Sequence, residues 1–303
     1  MVAVRTFELE DLVADEVVAL KAGRTVSVCI PCRNEASTIE RLVDVIRSEL
    51  MTTTGIVDEL IVLDDRSTDD TARLAAHAGA RMVSIEDVHD THGVGHGKGN
   101  ALWASLLVSQ GDIVVWCDGD VTSFEPAWVL KLIAPLLSEP SVGLMKAIYH
   151  RPTHTGGGGR TTELVARPLM SRYFPALSGL AQPLSGEYAG RRDVLEQIQF
   201  AQGWGVEIAM LIDIARQFGP EWIGQVDLGS RLHRHRDLRS LSVQAAEVSA
   251  TMLDRAGVAG PVGDEEPSLV RADGSVVRLN LDERPSLQSM GLTRAAVAAA
   301  SSL

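Results

Sequence analysis

Cysteine is scarce. The 303-residue chain has three, Cys29, Cys32 and Cys117, which leaves no disulfide framework to read. Cys29-Ile30-Pro31-Cys32 has the spacing of a redox pair, but such a pair usually opens a helix, whose N-terminus lowers the thiol pKa. Cys29 instead lies in Thr25-Val26-Ser27-Val28-Cys29-Ile30, a strand pattern, so the two are read as reduced thiols at a strand end. No apolar run approaches 18 residues, so no membrane-spanning helix is expected. Positive charge is also short: 28 Lys and Arg against 40 Asp and Glu give a net charge of −12. Bulk attraction to nucleic acid or to an anionic membrane is thereby excluded, and any phosphate must be held by local Lys, Arg, metal or helix ends. Met1 to Leu20 lacks the basic start and apolar centre of a secretory signal and carries Glu8, Glu10, Asp11, Asp15 and Glu16 instead. A cytoplasmic location is expected. There is no internal repeat.

What is present is an ordinary globular composition, 45% hydrophobic and 22% charged. Length and composition allow one large α/β domain or two smaller ones, with a sizeable core. A helix is expected over 8–22, stopped by Gly23. Strands then alternate with helices: strands at 26–30, 58–63, 81–84, 112–117 and 142–149, and helices at 35–50, 69–78, 98–109 and 125–137. Ser67 or Thr68 is the expected cap of the second helix, and 86–97 reads as a polar loop rich in His and Gly. Such alternation predicts a parallel-rich sheet covered by helices, with ligands bound beyond the carboxyl ends of the strands. Beyond 150 the pattern loosens. A Gly-rich loop over 151–160, helices at 161–170, 206–218 and 238–256, a strand or turn at 185–189, a strand at 223–228 and a hairpin around Ala272-Asp273-Gly274-Ser275 are expected.

Several motifs fall at the predicted strand ends. Asp118-Gly119-Asp120 follows the run Ile113 to Trp116; two carboxylates one residue apart need a cation or hydrogen-bond donors. A divalent ion carrying a nucleotide diphosphate would answer that need, as would a solvated turn. Asp64 and Asp65 end another strand, with Arg66 next. Pro31-Cys32-Arg33-Asn34-Glu35 ends the first. Gly97-Lys98-Gly99-Asn100 opens a helix and suits a diphosphate without being a P-loop. Gly156 to Gly159, Arg160 and Thr162 could cradle an anion, or form a flexible linker. His233 and His235, in a basic run after a strand, could share a site as alternate residues of an extended segment, or lie on a basic surface loop.

Taken together, Pro31 to Glu35, Asp64 to Asp70, Lys98-Gly99, Asp118 to Asp120, Gly157 to Leu169, Gln182 to Tyr188 and Gly205 to Ile208 closely resemble the glucosyl-3-phosphoglycerate synthase family, which includes mannosyl-3-phosphoglycerate synthases. The resemblance runs from about Lys21 to Leu238. It implies a retaining GT-A glycosyltransferase, α/β with a Rossmann-like, mostly parallel sheet. It further implies a homodimer, Mg²⁺ or a similar ion such as Mn²⁺ or Co²⁺, a nucleotide-diphosphate hexose donor and 3-phosphoglycerate as acceptor. By position, Asp120 and His233 resemble metal ligands, and Asp118, with Gly119, lies against the ribose. Pro31, Glu35 and Lys98 resemble donor-binding residues. Gly159, Arg160 and Thr162 resemble the clamp on the acceptor phosphate, with His235 facing the acceptor where Asn is common. Glu207 resembles the acid beside the sugar and, with Lys98 and Asp120, carries the expected chemistry. Domain boundaries follow: a glycosyltransferase domain over 1–238, its donor half about 24–150 and its acceptor half about 151–238, then a helix and extension over 239–303.

Two departures bear on the donor. Mycobacterial members typically have Ala-Leu in place of Cys32-Arg33 and Ser-Gly in place of Asp65-Arg66, and both stretches line the base pocket. Asp can accept from guanine N1–H and N2–H₂, and Arg can donate to O6 and N7. On that ground GDP-mannose, with GDP-glucose beside it, is the expected donor. UDP-glucose is the alternative. A sugar nucleotidyltransferase is more distant, because the Gly-rich loop it needs after the first strand is replaced by Pro31 to Glu35. A non-catalytic nucleotide-sugar sensor would not need Asp118, Asp120 and His233.

Overall fold

The structure is a computed structural model that describes residues 4–9, 12–150, 159–231, 238–258 and 266–296. Its strands are β1 (Arg5–Phe7), β2 (Val26–Cys32), β3 (Glu59–Asp64), β4 (Arg81–Ser84), β5 (Ile113–Trp116), β6 (Leu144–His150), β7 (Tyr188–Arg191), β8 (Phe200–Ala201), β9 (Ile223–Ser230), β10 (Ser268–Val270), β11 (Val276–Arg278) and β12 (Glu283–Arg284). Its helices are α1 (Ala14–Lys21), α2 (Ile39–Val45), α3 (Thr71–His77), α4 (Ile85–His92), α5 (Gly97–Val108), α6 (Pro126–Ser138), α7 (Arg167–Tyr173), α8 (Arg192–Leu195), α9 (Val206–Gln217) and α10 (Leu238–Arg255).

Eight strands form one sheet in the order β1-β9-β6-β7-β5-β2-β3-β4. Every neighbouring pair is parallel except the two made by β7, which runs against β5 and β6. This is the mixed, mostly parallel α/β sheet expected. Alternate residues of each strand face opposite ways, and the core divides accordingly. Val26, Val28, Ile30, Val62 and Val115 join α2 and α6 on one side. Cys29, Ile61, Val114, Trp116 and Tyr188 join α5 and α9 on the other. Cys29 and Cys32 are therefore buried free thiols in different layers, and burial pushes Cys29 up to about 12. Neither is placed for redox chemistry.

The reversed β7 matters for the site. Its first residue, Tyr188, pairs with the last residue of β5, Trp116. The residue before β7 and the residues after β5 therefore share one edge of the sheet, and Arg231 joins them by following β9. A sheet parallel throughout would not bring an N-terminal strand end there.

Local expectations fail in four places. Within 8–22, helix begins only at Ala14, and Arg5–Phe7 instead pairs parallel with β9. The loop expected over 86–97 is largely α4, whose first turn is capped by Ser84 Oγ accepting from Glu86 N at 3.2 Å. Neither Ser67 nor Thr68 caps α3; Asp69 accepts from Thr71 N at 3.0 Å, while Ser67 Oγ accepts from Asn34 N at 2.9 Å. The helix after Glu35 starts at Ile39 and widens into π-type turns over Ile46–Thr53.

Candidate active site

A cleft of about 410 Å³ opens where β2, β3 and β5 end. It is lined by Pro31, Cys32, Arg33, Glu35, Asp65, Gly97, Lys98, Ala101, Asp118, Gly119, Asp120 and Trp204. The β2 and β5 ends touch: Thr38 Oγ1 donates to Gly119 O at 2.6 Å, and a Cβ on Gly119 would sit 3.2 Å from Cys32 Cβ. Gly97 and Lys98 arrive on the first turn of α5.

Lys98 is the electrostatic pivot. Its Nζ lies 2.8 Å from Asp118 Oδ1 and 2.7 Å from Glu207 Oε1. Burial works against its charge, yet Asp118 and then Glu207 outweigh burial and hold its pKa well above the usual lysine value. A second cation completes the cluster. Arg231 Nη2 lies 2.7 Å from Asp118 Oδ2, 2.8 Å from Glu187 Oε1 and 3.6 Å from Asp120 Oδ1. The fold leaves no slack here: a Cβ on Gly186 would fall 1.8 Å from Asp118 Oδ2. Burial raises the Glu187 carboxyl above its ordinary range, with Arg231 pulling the other way. Glu187 Oε2 and Ser185 Oγ are buried without a hydrogen-bond partner among the described residues.

The expected residues thus fall into three groups. Pro31, Arg33, Glu35, Asp65, Lys98, Asp118, Gly119 and Asp120 line one cleft, and Glu207 reaches it through Lys98. Gly159, Arg160 and Thr162 do not line the cleft. Thr162 is buried at the start of the helical run into α7. His233 and His235 lie outside the described residues. Among the described residues no three His, Cys, Asp or Glu side chains form a ready metal cluster.

Arg66 lies beside the cleft residue Asp65, its Nη1 4.0 Å from Asp65 Oδ1. It is absent from the cleft lining; its Nε donates to Glu86 Oε1 at 2.6 Å and its Nη2 lies 3.1 Å from His89 Nδ1. The unforeseen α4 explains this, because α4 brings Glu86 and His89 to Arg66. Asp65 stays at the cleft, and its Oδ1 is buried with no hydrogen-bond partner among the described residues.

Three cluster members escaped the motif reading. Arg231 precedes His233 in a run where the histidines drew attention. Glu187 sits in a Ser-Gly-Glu-Tyr turn with no local pattern that marks its acid as buried. Lys146 lies inside a strand that reads as core. Lys146 is 2% exposed; its Nζ donates to Ser185 O at 2.6 Å and lies 4.0 Å over the Tyr188 ring. Burial pushes this lysine down to about 7. Above that pH the unfolded chain binds one more proton than the folded chain, up to the ordinary lysine value near ~10.4. Stability therefore gains about 1.4 kcal/mol per pH unit from this group as pH rises through that window. Lys146→Met is expected to remove that rise. Urea unfolding of both proteins at pH 7, 8 and 9 checks it; a stability difference constant across the three would mean that Lys146 keeps its proton.

Acids, a lysine and a cleft at the carboxyl ends of a mostly parallel sheet are the arrangement of a nucleotide-binding α/β enzyme, and the matches to known proteins make it a glycosyltransferase of the GT-A class. Residues 27–199 match the model of glycosyl transferase family 2. The chain is 47% identical over 252 residues to a glucosyl-3-phosphoglycerate synthase of Mycobacterium tuberculosis, covering 80% of this chain and 77% of that one. It is 45% identical over 248 residues to one from Petrotoga mobilis, covering 79% and 76%. A crystal structure of the M. tuberculosis enzyme with Mn²⁺, UDP-glucose and phosphoglyceric acid superposes with a TM-score of 0.87 at 42% identity, over 96% of this chain and all of that one. The chain belongs to the glucosyl-3-phosphoglycerate synthase family, and it is a hexosyltransferase.

Proposed function

We propose that this enzyme transfers glucose from UDP-glucose to the 2-hydroxyl of 3-phosphoglycerate, with retention at the anomeric carbon. The observation that carries the reading is Lys98 held between Asp118 and Glu207 in a cleft also lined by Pro31, Cys32, Arg33 and Glu35. A cation so placed meets the charge that grows on a departing diphosphate. Glu207, held to Lys98, orients hydroxyls of the transferred sugar. Gly159, Arg160 and Thr162 hold the acceptor phosphate and so place the attacking oxygen. His235 completes the acceptor side.

Asp118 and Asp120, which share the cation of Arg231 at 2.7 and 3.6 Å, present hard carboxylate oxygens of the kind that suits Mg²⁺ or Mn²⁺. Asp120 would hold the ion with His233, and the ion when bound takes up charge on the diphosphate.

The donor reading differs from the one first drawn from Asp65 and Arg66. Of the residues behind the guanine reading, Arg33 and Asp65 line the cleft, whereas Arg66 pairs with Glu86. The relatives' names and the UDP-glucose of the superposed structure support glucose from UDP-glucose over GDP-mannose. With 3-phosphoglycerate and Mg²⁺, UDP-glucose is expected to turn over at least about tenfold faster than GDP-mannose or GDP-glucose, a gap of about 1.4 kcal/mol. A coupled assay of nucleotide release decides between them. Faster turnover of GDP-mannose overturns the donor assignment. Pyrophosphate release from a nucleoside triphosphate and a sugar phosphate overturns the reaction class.

A further inference from the structure

The C-terminal segment Asn280–Arg284 lies far beyond the family 2 match, which ends at 199, yet it touches both ends of the short stretch that delivers Lys98. α4 ends at His92 and α5 begins at Gly97. Arg284 closes that gap. Its Nη1 and Nη2 donate to His92 O and Gly93 O at 3.1 and 2.7 Å, satisfying carbonyls left open at the end of α4. Its Nε donates to Asn100 Oδ1 at 2.7 Å, two residues past Lys98. Asn100 Nδ2 lies 3.0 Å from His89 Nε2, so α4 and α5 are tied through the same side chain. The guanidinium is buried and stacks 4.6 Å from the Trp103 ring centre.

The rest of the segment works on the same stretch. Asn280 Nδ2 donates to His96 O at 2.9 Å. Asp282 O accepts from Gln202 N at 2.8 Å, while Gln202 accepts from His96 N through Oε1 at 2.8 Å and from Asn100 N through its carbonyl at 3.2 Å. β12 pairs with β8, and α5 rests directly on β8: a Cβ on Gly99 would lie 1.7 Å from Ala201 O. Glu247 of α10, also buried, accepts from Asn280 N at 2.9 Å and from Trp204 N at 2.8 Å, so the cleft residue Trp204 hangs on the same scaffold.

We propose that Asn280–Arg284 is a positioning element for the donor side of the site, with Arg284 the positioning residue that clamps Gly93–Asn100 and thereby sets Lys98 against Asp118 and Glu207. The proposal rests on the reading that Lys98 meets the donor diphosphate. Arg284→Lys keeps the charge and loses the planar fork that reaches three acceptors at once. A small displacement of a positioned group costs up to about 10²-fold in rate. Arg284→Lys is therefore expected to lower kcat/KM for UDP-glucose by about tenfold or more, with KM for 3-phosphoglycerate within about twofold of wild type. Amide exchange over 93–100 should quicken by about tenfold while β2 and β5 stay protected. Asn280→Ala removes only the contact to His96 and a turn within its own segment, and should move both readouts the same way, less far; it decides the matter if Arg284→Lys fails to fold. Unchanged exchange over 93–100, or equal losses on donor and acceptor, overturns the proposal. Wild-type enzyme inactive on UDP-glucose and 3-phosphoglycerate would sink the functional reading alone, since exchange is read without turnover.

Discussion

Lys98→Met should lower kcat by about 10²–10³, the usual cost of removing one preorganised charge or donor from a developing anion. The side chain that replaces it is close in volume, so the cleft keeps its shape and the loss is electrostatic. Donor binding should weaken less than turnover, because the charge on the diphosphate grows as the sugar leaves. Stability should fall as well. Glu207 is 5% exposed on its side chain and Lys98 neutralises it. Removing one partner of a buried pair costs about 3–5 kcal/mol; the remaining exposure of Asp118, 25%, puts this case toward the lower end. Lys98→Arg should recover most of the stability and little of the turnover, since a planar guanidinium cannot sit as a point charge between two carboxylates. Steady-state kinetics with UDP-glucose and 3-phosphoglycerate, alongside urea unfolding, separate the two effects. A Met variant that turns over within about threefold of wild type would remove Lys98 from the chemistry.

That prediction rests on residues readable in advance, and the reason is geometric. Parallel strands deliver their last residues to one edge, so alternation of strands and helices was enough to converge Pro31, Glu35, Asp65, Lys98 and Asp118 to Asp120 on a single cleft. Contacts made across long separations were not readable. Arg231 meets Asp118 113 residues away, and Arg284 meets Asn100 184 residues away. Neither pairing leaves a local pattern. Glu187 was hidden because its position depends on β7 running backwards, a property of the sheet and not of the Ser185–Tyr188 turn. The partners of Arg66 were unreadable for a related reason. Its partners come from α4, and α4 was read as a loop because His89, His92 and Gly93 look polar; only the assembled structure sets Ile85 and Val88 into the core.

Arg231→Met should have the largest effect on stability. The guanidinium is 3% exposed and holds Glu187, Asp118 and Asp120 at once, with the Tyr149 ring centre 5.2 Å away. Its removal leaves Glu187, which has no exposure, without a cation at its Oε1 and with Oε2 already unpartnered among the described residues. The expected loss is about 3–5 kcal/mol near pH 8. The pH dependence identifies the cause. Burial already holds the Glu187 carboxyl above its ordinary range, and Arg231 opposes that rise most strongly, with Lys98 a weaker second. Without Arg231 the folded-state value climbs further above the unfolded one. The folded variant then binds a proton that the unfolded chain does not, so its stability falls as pH rises through that window and recovers toward acid. Urea unfolding at pH 5.5 and 8 should show the Arg231→Met deficit shrinking at the lower pH. Adding Glu187→Gln should restore about 2 kcal/mol or more at pH 8, because the uncompensated charge is gone. Turnover should be low in both variants, since Asp118 and Asp120 lose their contacts to Arg231 while Asp118 keeps its contact to Lys98. A deficit equal at both pH values, or untouched by Glu187→Gln, would mean that Arg231 stabilises by packing against Tyr149 and not by neutralising the acids.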